Sequence, residues 1–167
     1  MSAVLEEPFA IIRKMAKSVL DEVIAVERRA YTHPWSEGIL RDCLRVGYSC
    51  WVCESGDDIV GHAVMSIAVG EAHLLNLCID PEQQRQGIGR RMLHRLLRVA
   101  RDRQADTMFV EVRASNYPAR QLYEAEGFAE RGGWVNDKQA RDVMGWHYLL
   151  GHGLGVPVAD AVTTLQV

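Results

Sequence analysis

Apolar positions recur along this chain at two spacings, and each switch between them marks a new element. Residues 9–13 read as a short strand. From about Ser18 to Arg29 a helical stripe carries Val19, Val23 and Val26, with Leu20, Ile24 and Glu27 beside it. His33-Pro34-Trp35 breaks that helix, and Ser36 is a good N-cap for a second one that turns Ile39, Leu40, Cys43 and Leu44 inward. Residues 48–54 and 58–69 then read as two strands about a Gly56-Asp57 turn. Residues 72–79 (AHLLNLCI) are apolar on both faces, the mark of a central strand, and Asp80-Pro81 ends it. Ile88, Met92, Leu93, Leu96, Leu97 and Ala100 predict an amphipathic helix from about Gly87 to Arg103. Residues 107–113 form another strand. Pro118 opens a helix at its first position and Gly127 closes it. Residues 128–131 and 143–150 finish as strands around a Gly132-Gly133 turn.

The predicted order, β-α-α-β-β-β-α-β-α-β-β, has more strands than helices and no strict alternation. It implies a mixed α/β sheet with helices on both faces. There is no repeat, no low-complexity block and no Pro/Ser linker, so residues 1–150 read as a single domain. The segment 151–167, with one charge and three glycines, is left as an unplaced tail.

Composition narrows the function classes. The 167 residues are one domain's worth, with 48% apolar and 25% charged residues, an ordinary globular balance. Lys+Arg 19 against Asp+Glu 22 gives −3, which argues against a general nucleic-acid coat or a polybasic membrane binder. No apolar run is long enough to span a bilayer, and MSAVLEEPFAII carries acids where a secretory leader wants Lys or Arg. The expectation is a cytoplasmic protein that contacts neither membrane nor nucleic acid directly. The charge is uneven, however: from Arg85 to Arg103 there are seven arginines and one acid, Asp102. That stretch is either the solvated face of the amphipathic helix or an RNA-binding helix, and the first reading is favoured.

Four cysteines, Cys43, Cys50, Cys53 and Cys78, all lie in or beside apolar stretches. Cys50 and Cys53 form a C-x-x-C, which could be redox-active or half of a zinc site. SCWVCES reads better as a strand with the two thiols on opposite faces, and no second metal pair follows. The six histidines show no ligand spacing, so no metal is expected.

Three places can carry chemistry. Arg85-Gln86-Gly87-Ile88-Gly89-Arg90 joins a central strand to a helix. Two glycines at a helix mouth let backbone N–H groups approach an anion, and the flanking arginines add to that field. The loop lacks the Lys-Ser/Thr of a Walker A motif, and Met92 replaces the third glycine of a dinucleotide fingerprint, so a purely steric turn stays open. Glu111, in the apolar strand TMFVEVR, is either an ion-pair partner of Arg113 or a general base with an environment-tuned pKa. Tyr123 reads first as a core tyrosine, and Asn116 as a cap or turn residue.

Taken together, HPWSE, NLCIDPEQQRQGIGRRML and VEVRASNYPARQLYEAEGF resemble the GNAT acyl-CoA N-acetyltransferases. Within them the chain looks most like the bacterial ribosomal-protein alanine N-acetyltransferases, over roughly residues 9–128. The resemblance implies a largely antiparallel mixed sheet with a central pair of parallel strands that splay apart to admit the pantetheine arm of acetyl-CoA. Main-chain groups of Leu77 and Ile79 would bond the arm, and a strand N–H near Cys78 would polarise the thioester carbonyl. Arg85, Gln86, Gly87, Ile88, Gly89 and Arg90 would hold the pyrophosphate, and Asn116 would contact the cofactor. Glu111 matches the family's general base and Tyr123 its general acid, with no covalent enzyme intermediate.

The chain departs from the family pattern after Phe128. AERGGWVNDKQARDVMGWHYLL lacks the usual tyrosine pair, and Arg141-Asp142 replaces the usual Glu-Asp. Trp35 and Trp134 are candidate walls of the acceptor site. The implied acceptor is a protein N-terminus, with the N-terminal alanine of a small-subunit ribosomal protein as the specific candidate. The alternatives are a small amine or lysine side chain as acceptor, and an acyl-CoA-binding module without turnover.

Overall fold

The computed structural model describes residues 10–131 and 143–150. Trp134, Arg141-Asp142, Phe9 and the segment 151–167 therefore lie outside the described residues. Strands β1 (Ile11–Lys14), β2 (Ser49–Ser55), β3 (Asp58–Ala68) and β4 (Glu71–Ile79) form an antiparallel run. Strand β5 (Thr107–Arg113) lies parallel beside β4, and β6 (Ala129–Arg131) and β7 (Val143–Leu149) complete one seven-stranded sheet, ordered β1-β2-β3-β4-β5-β7-β6. Among the described residues the only parallel pairing is β4–β5, which is the mixed, largely antiparallel architecture expected.

Helices cover both faces because the strands alternate apolar side chains to both sides. On one face α1 (Leu20–Ala30) and α2 (Glu37–Arg45) pack Leu20, Val23, Ile24, Val26 and Leu40 against Cys50, Val52, Val64 and Cys78. On the other, α3 (Ile88–Asp102) and α4 (Tyr117–Ala125) pack Met92, Leu93, Leu96, Leu97 and Tyr123 against Trp51, Cys53, Met65, Met108 and Val110. Cys50 and Cys53 thus point to opposite faces, each free and buried, as the strand reading required.

Helix boundaries follow their caps. Ser36 accepts the Ile39 N–H and starts α2, but Ile39 itself is 45% exposed. The inward stripe is Leu40, Cys43 and Leu44, and Ile39 lies about 100° round the helix from Leu40, beyond the width that α1 covers. A turn of 3-10 helix (Lys17–Val19) precedes α1, so the α-helix starts at Leu20. Asn116 caps α4 by accepting the Ala119 N–H, which puts Pro118 at the second helical position and not the first.

The end of α4 is closed by paired bonds. Phe128 N–H donates to the Tyr123 carbonyl and Gly127 N–H to the Glu124 carbonyl, with Gly127 at φ 95°. The Phe128 ring sits 5.2 Å from that of Tyr123, adding the apolar contact of such a motif. A Cβ at Gly127 would also meet a Tyr148 ring carbon at 3.2 Å. Gly127→Ala should therefore cost about 1–2 kcal/mol, the left-handed penalty for an L side chain. A urea denaturation midpoint equal to wild type would contradict this.

Candidate active site

The parallel pairing of β4 with β5 runs from Glu71↔Thr107 to Leu74↔Val110 and ends there. Both strands continue, β4 on β3 as far as Gly61↔Ile79 and β5 on β7 as far as Arg113↔Val143. Residues 75–79 and 111–113 therefore diverge, each held by its outer neighbour. The cause is local: the β3–β4 register shifts between Val64 and Met65, leaving Leu75 as an extra residue on β4. An extra residue bends its strand and increases its twist, which carries β4 away from β5.

Inside the divergence, backbone carbonyls of β4 are met by side chains. Tyr31 Oη donates to the Leu77 carbonyl at 2.6 Å, and Gln84 Nε2 donates to the Ile79 carbonyl at 3.1 Å. Leu77 and Ile79 thus face the gap. The Cys78 side chain turns away from α3, into the core beneath α1.

The Gln84–Gly87 loop passes through left-handed backbone at Arg85 (φ 65°) and Gly87 (φ 82°) before α3 begins at Ile88. Gly87 caps α3 with no side chain, and a Cβ there would meet open space, so its conformation and not crowding calls for glycine. No N-cap side chain accepts from the first N–H groups of α3. Gly89 is a close approach, a Cβ there lying 3.5 Å from Leu122 and 3.7 Å from Ile79. Arg90 is already spent on Glu126 at 2.6 Å, so toward an anion it offers its backbone. Arg91 donates to the Ala10 carbonyl, Arg95 lies over Trp51 and Arg101 over Tyr148. Four arginines of the basic run are thus engaged within the fold.

Glu111 and Tyr123 approach the gap from opposite faces. Met108, Val110 and Val112 are buried toward α3 and α4, while Glu111 lies on the other side with an exposed carboxylate. The Arg113 ion pair does not occur among the contacts of the described residues. Partial desolvation raises the Glu111 pKa, and the charge of His73 opposes that shift. His73 is stacked on Phe109 at 5.1 Å. Tyr123 is 4% exposed, and burial pushes its phenol pKa well up, so it holds its proton. Tyr31, from the α1 face, lies close enough that Tyr123 adds to burial and Cys78 in raising its pKa too. Trp35 is half-buried against the α1–α2 core. The structure brings Leu77, Ile79, Glu111, Tyr123 and the α3 N-terminus to one gap. Asn116 is a helix cap, and Cys78 contributes no side chain.

One cluster escaped the sequence reading. Glu27, 1% exposed, accepts from His62 Nε2 at 2.8 Å, from Asn76 Nδ2 at 3.1 and 3.3 Å, and from the Trp35 N–H at 3.0 Å. The Cys78 thiol lies within 4.8 Å of the Glu27 and His62 ligand atoms. Burial raises the Cys78 pKa, with the Glu27 charge next, so the thiol stays protonated, and His62 is hydrogen-bonded to Glu27. The arrangement is a hydrogen-bonded hub. The available signal was Glu27 itself, a charged residue seven positions after Leu20 on an apolar stripe. For Glu27 burial favours the neutral form, but the His62, Trp35 and Asn76 donors outweigh it and hold the pKa below the ordinary value.

Residues 18–128 match the Acetyltransferase (GNAT) family. The chain belongs to the GNAT acetyltransferases. Among relatives of this GNAT chain, the [ribosomal protein bS18]-alanine N-acetyltransferase of Escherichia coli (strain K12) is 36% identical over 105 residues, 63% of this chain and 71% of that protein. The protein of the same name from Haemophilus ducreyi (strain 35000HP / ATCC 700724) is 30% identical over 118 residues, 71% of this chain and 81% of its own. The crystal structure of the ribosomal-protein-S18-alanine N-acetyltransferase from Escherichia coli superposes with a TM-score of 0.76 at 28% identity, covering 88% of this chain and 99% of that one. The PaiA N-acetyltransferase of Thermoplasma acidophilum, solved in complex with coenzyme A, shares the fold with a TM-score of 0.68 at 17% identity, over 84% of this chain and 98% of that one. None of the described helices of this GNAT chain is long and apolar enough to cross a membrane.

Because Glu27 has a folded-state pKa below its unfolded value, it contributes stability above about pH 4 and loses it as pH falls through the folded value. Glu27→Gln should melt below wild type at pH 7 by the equivalent of about 1–3 kcal/mol, and the gap should narrow in acid. A gap that stays constant in thermal melts from pH 7 down to 3 contradicts this.

Proposed function

We propose that this chain transfers an acetyl group from acetyl-CoA to the N-terminal amine of a protein, with the N-terminal alanine of a ribosomal protein as acceptor, in the cytoplasm. The observation that carries the reading is the β4–β5 gap, with a buried protonated phenol on one face and a partly desolvated, solvent-accessible carboxylate on the other. The relatives' names supply the acceptor. The pantetheine arm would be held by Leu77 and Ile79, where β5 has withdrawn, and its pyrophosphate by the backbone of Arg85 to Arg90 at the start of α3.

The transfer is direct. Glu111 takes a proton from the acceptor ammonium, directly or through a water, and the amine nitrogen attacks the thioester carbonyl carbon. A main-chain N–H of β4 near Cys78 stabilises the oxyanion. The C–S bond breaks as the amide forms, and Tyr123 gives its proton to the departing CoA thiolate. The raised pKa of Glu111 makes it a better base than an ordinary carboxylate, and the raised pKa of Tyr123 keeps its proton available at neutral pH. Asn116 holds the α4 turn beside this site. No thiol takes part, since burial raises all four cysteines, Cys50 to about 12.

Glu111→Gln should lower kcat by about 10²-fold or more, the scale of a lost general base. It should also remove an acid limb of kcat that lies above the ordinary carboxylate range. Unchanged turnover refutes the assignment. Tyr123→Phe should slow turnover with acetyl-CoA affinity intact, whereas equal losses in both would assign it to packing. Assayed against polyamines, free amino acids and peptides, the chain should prefer peptides that begin with alanine. Turnover of small amines alone overturns the acceptor.

A further inference from the structure

The buried anion at Glu27 is used by no step of the transfer. An unpaired charge in a core is costly, and an apolar side chain of similar volume often serves stability as well or better. What an apolar residue cannot do is accept hydrogen bonds from several pieces of chain at once. Glu27 does that: its carboxylate joins α1 to His62 on β3, to Asn76 on β4 and to the Trp35 backbone in the turn between α1 and α2. Asn76 directly precedes Leu77, in the part of β4 that has left β5. The turn is gripped at its other end as well, where Tyr31 reaches the Leu77 carbonyl. The Tyr31 N–H donates to the Glu27 carbonyl at 3.0 Å, so both grips extend from one turn of helix.

We propose that Glu27 is a positioning residue for the acceptor: its carboxylate locks the Trp35 turn to the free segment of β4, so that the Trp35 ring forms a fixed wall beside the thioester. This rests on the transfer proposed above: Glu111, on the α1–α2 face, takes the acceptor's proton, so the acceptor enters from that face. The carboxylate is buried and touches no substrate. It acts through the backbone of Trp35 on one side and the amide of Asn76 on the other. Glutamine is nearly isosteric but replaces one acceptor oxygen with a donor, so His62, Asn76 and Trp35, which the carboxylate shares between two oxygens, can no longer all be met.

The test is a double-mutant cycle in the full chain, with acetyl-CoA and an alanine-starting peptide. Glu27→Gln should raise the peptide KM about tenfold while kcat and acetyl-CoA affinity, measured separately by calorimetry, stay within about twofold. Trp35→Ala should raise the peptide KM comparably. The double variant should be no worse than the worse single, because both remove the same wall. Asn76→Ala leaves the carboxylate, His62 and the Trp35 bond in place, and it should give the same split at smaller amplitude, which carries the test if Glu27→Gln folds poorly. Multiplicative losses in the double variant, or equal losses in kcat, peptide KM and acetyl-CoA affinity, overturn the proposal. A wild-type chain that acetylates no N-terminal peptide defeats the acceptor reading. A wild-type chain that does so, with Glu27→Gln and Asn76→Ala at its peptide KM, defeats the role of Glu27 alone.

Discussion

The rest of the molecule depends on one interruption: β4 and β5 pair in parallel as far as Leu74 and Val110, then separate. A sheet interior normally satisfies every backbone group through its neighbours, and an open stretch of edge in its middle is unstable unless something else occupies it. Here the extra residue at Leu75 starts the separation, β3 and β7 hold the two halves from outside, and Tyr31 and Gln84 reach the exposed carbonyls of Leu77 and Ile79. The gap is thereby a built feature, with backbone donors and acceptors aligned as a strand would present them.

Electrostatics then differentiates the two faces. On the α3–α4 side Tyr123 is buried among apolar neighbours, held by the paired hydrogen bonds that end α4, and keeps its proton. On the α1 side Glu111 keeps access to solvent but is desolvated enough to be more basic than a surface carboxylate. In the proposed transfer, acid and base would therefore stand on opposite faces of the sheet. The basic character of α3 is mostly internal, with Arg90, Arg91, Arg95 and Arg101 engaged by Glu126, the Ala10 carbonyl, Trp51 and Tyr148. In the proposed reading, the backbone at the helix start, with the exposed Arg85 ahead of it, is what meets a phosphate.

Much of this was legible in the chain because it is local. The alternation in TMFVEVR gives β5 and the outward placement of Glu111, and the stripe from Ile88 to Ala100 gives α3. The Asn116 and Gly127 signals delimit α4 to within a residue. Ile39 was misplaced because periodicity specifies an apolar stripe but not how much of it a neighbouring helix covers.

The splay was expected only through the resemblance to the family, and the orientation of Arg90 and the Glu27 hub were not legible. Glu27 meets its partners 35 and 49 residues away, and nothing in the local pattern around His62 or Asn76 announces that they share one carboxylate. Propensity, capping and hydrophobic period act over a few residues, so the sequence by itself determined the elements and their faces. Only the tertiary structure decided which strand pair opens, which polar groups are buried together and which arginines are already paired. Those outcomes depend on register and desolvation among segments that meet only when the sheet assembles.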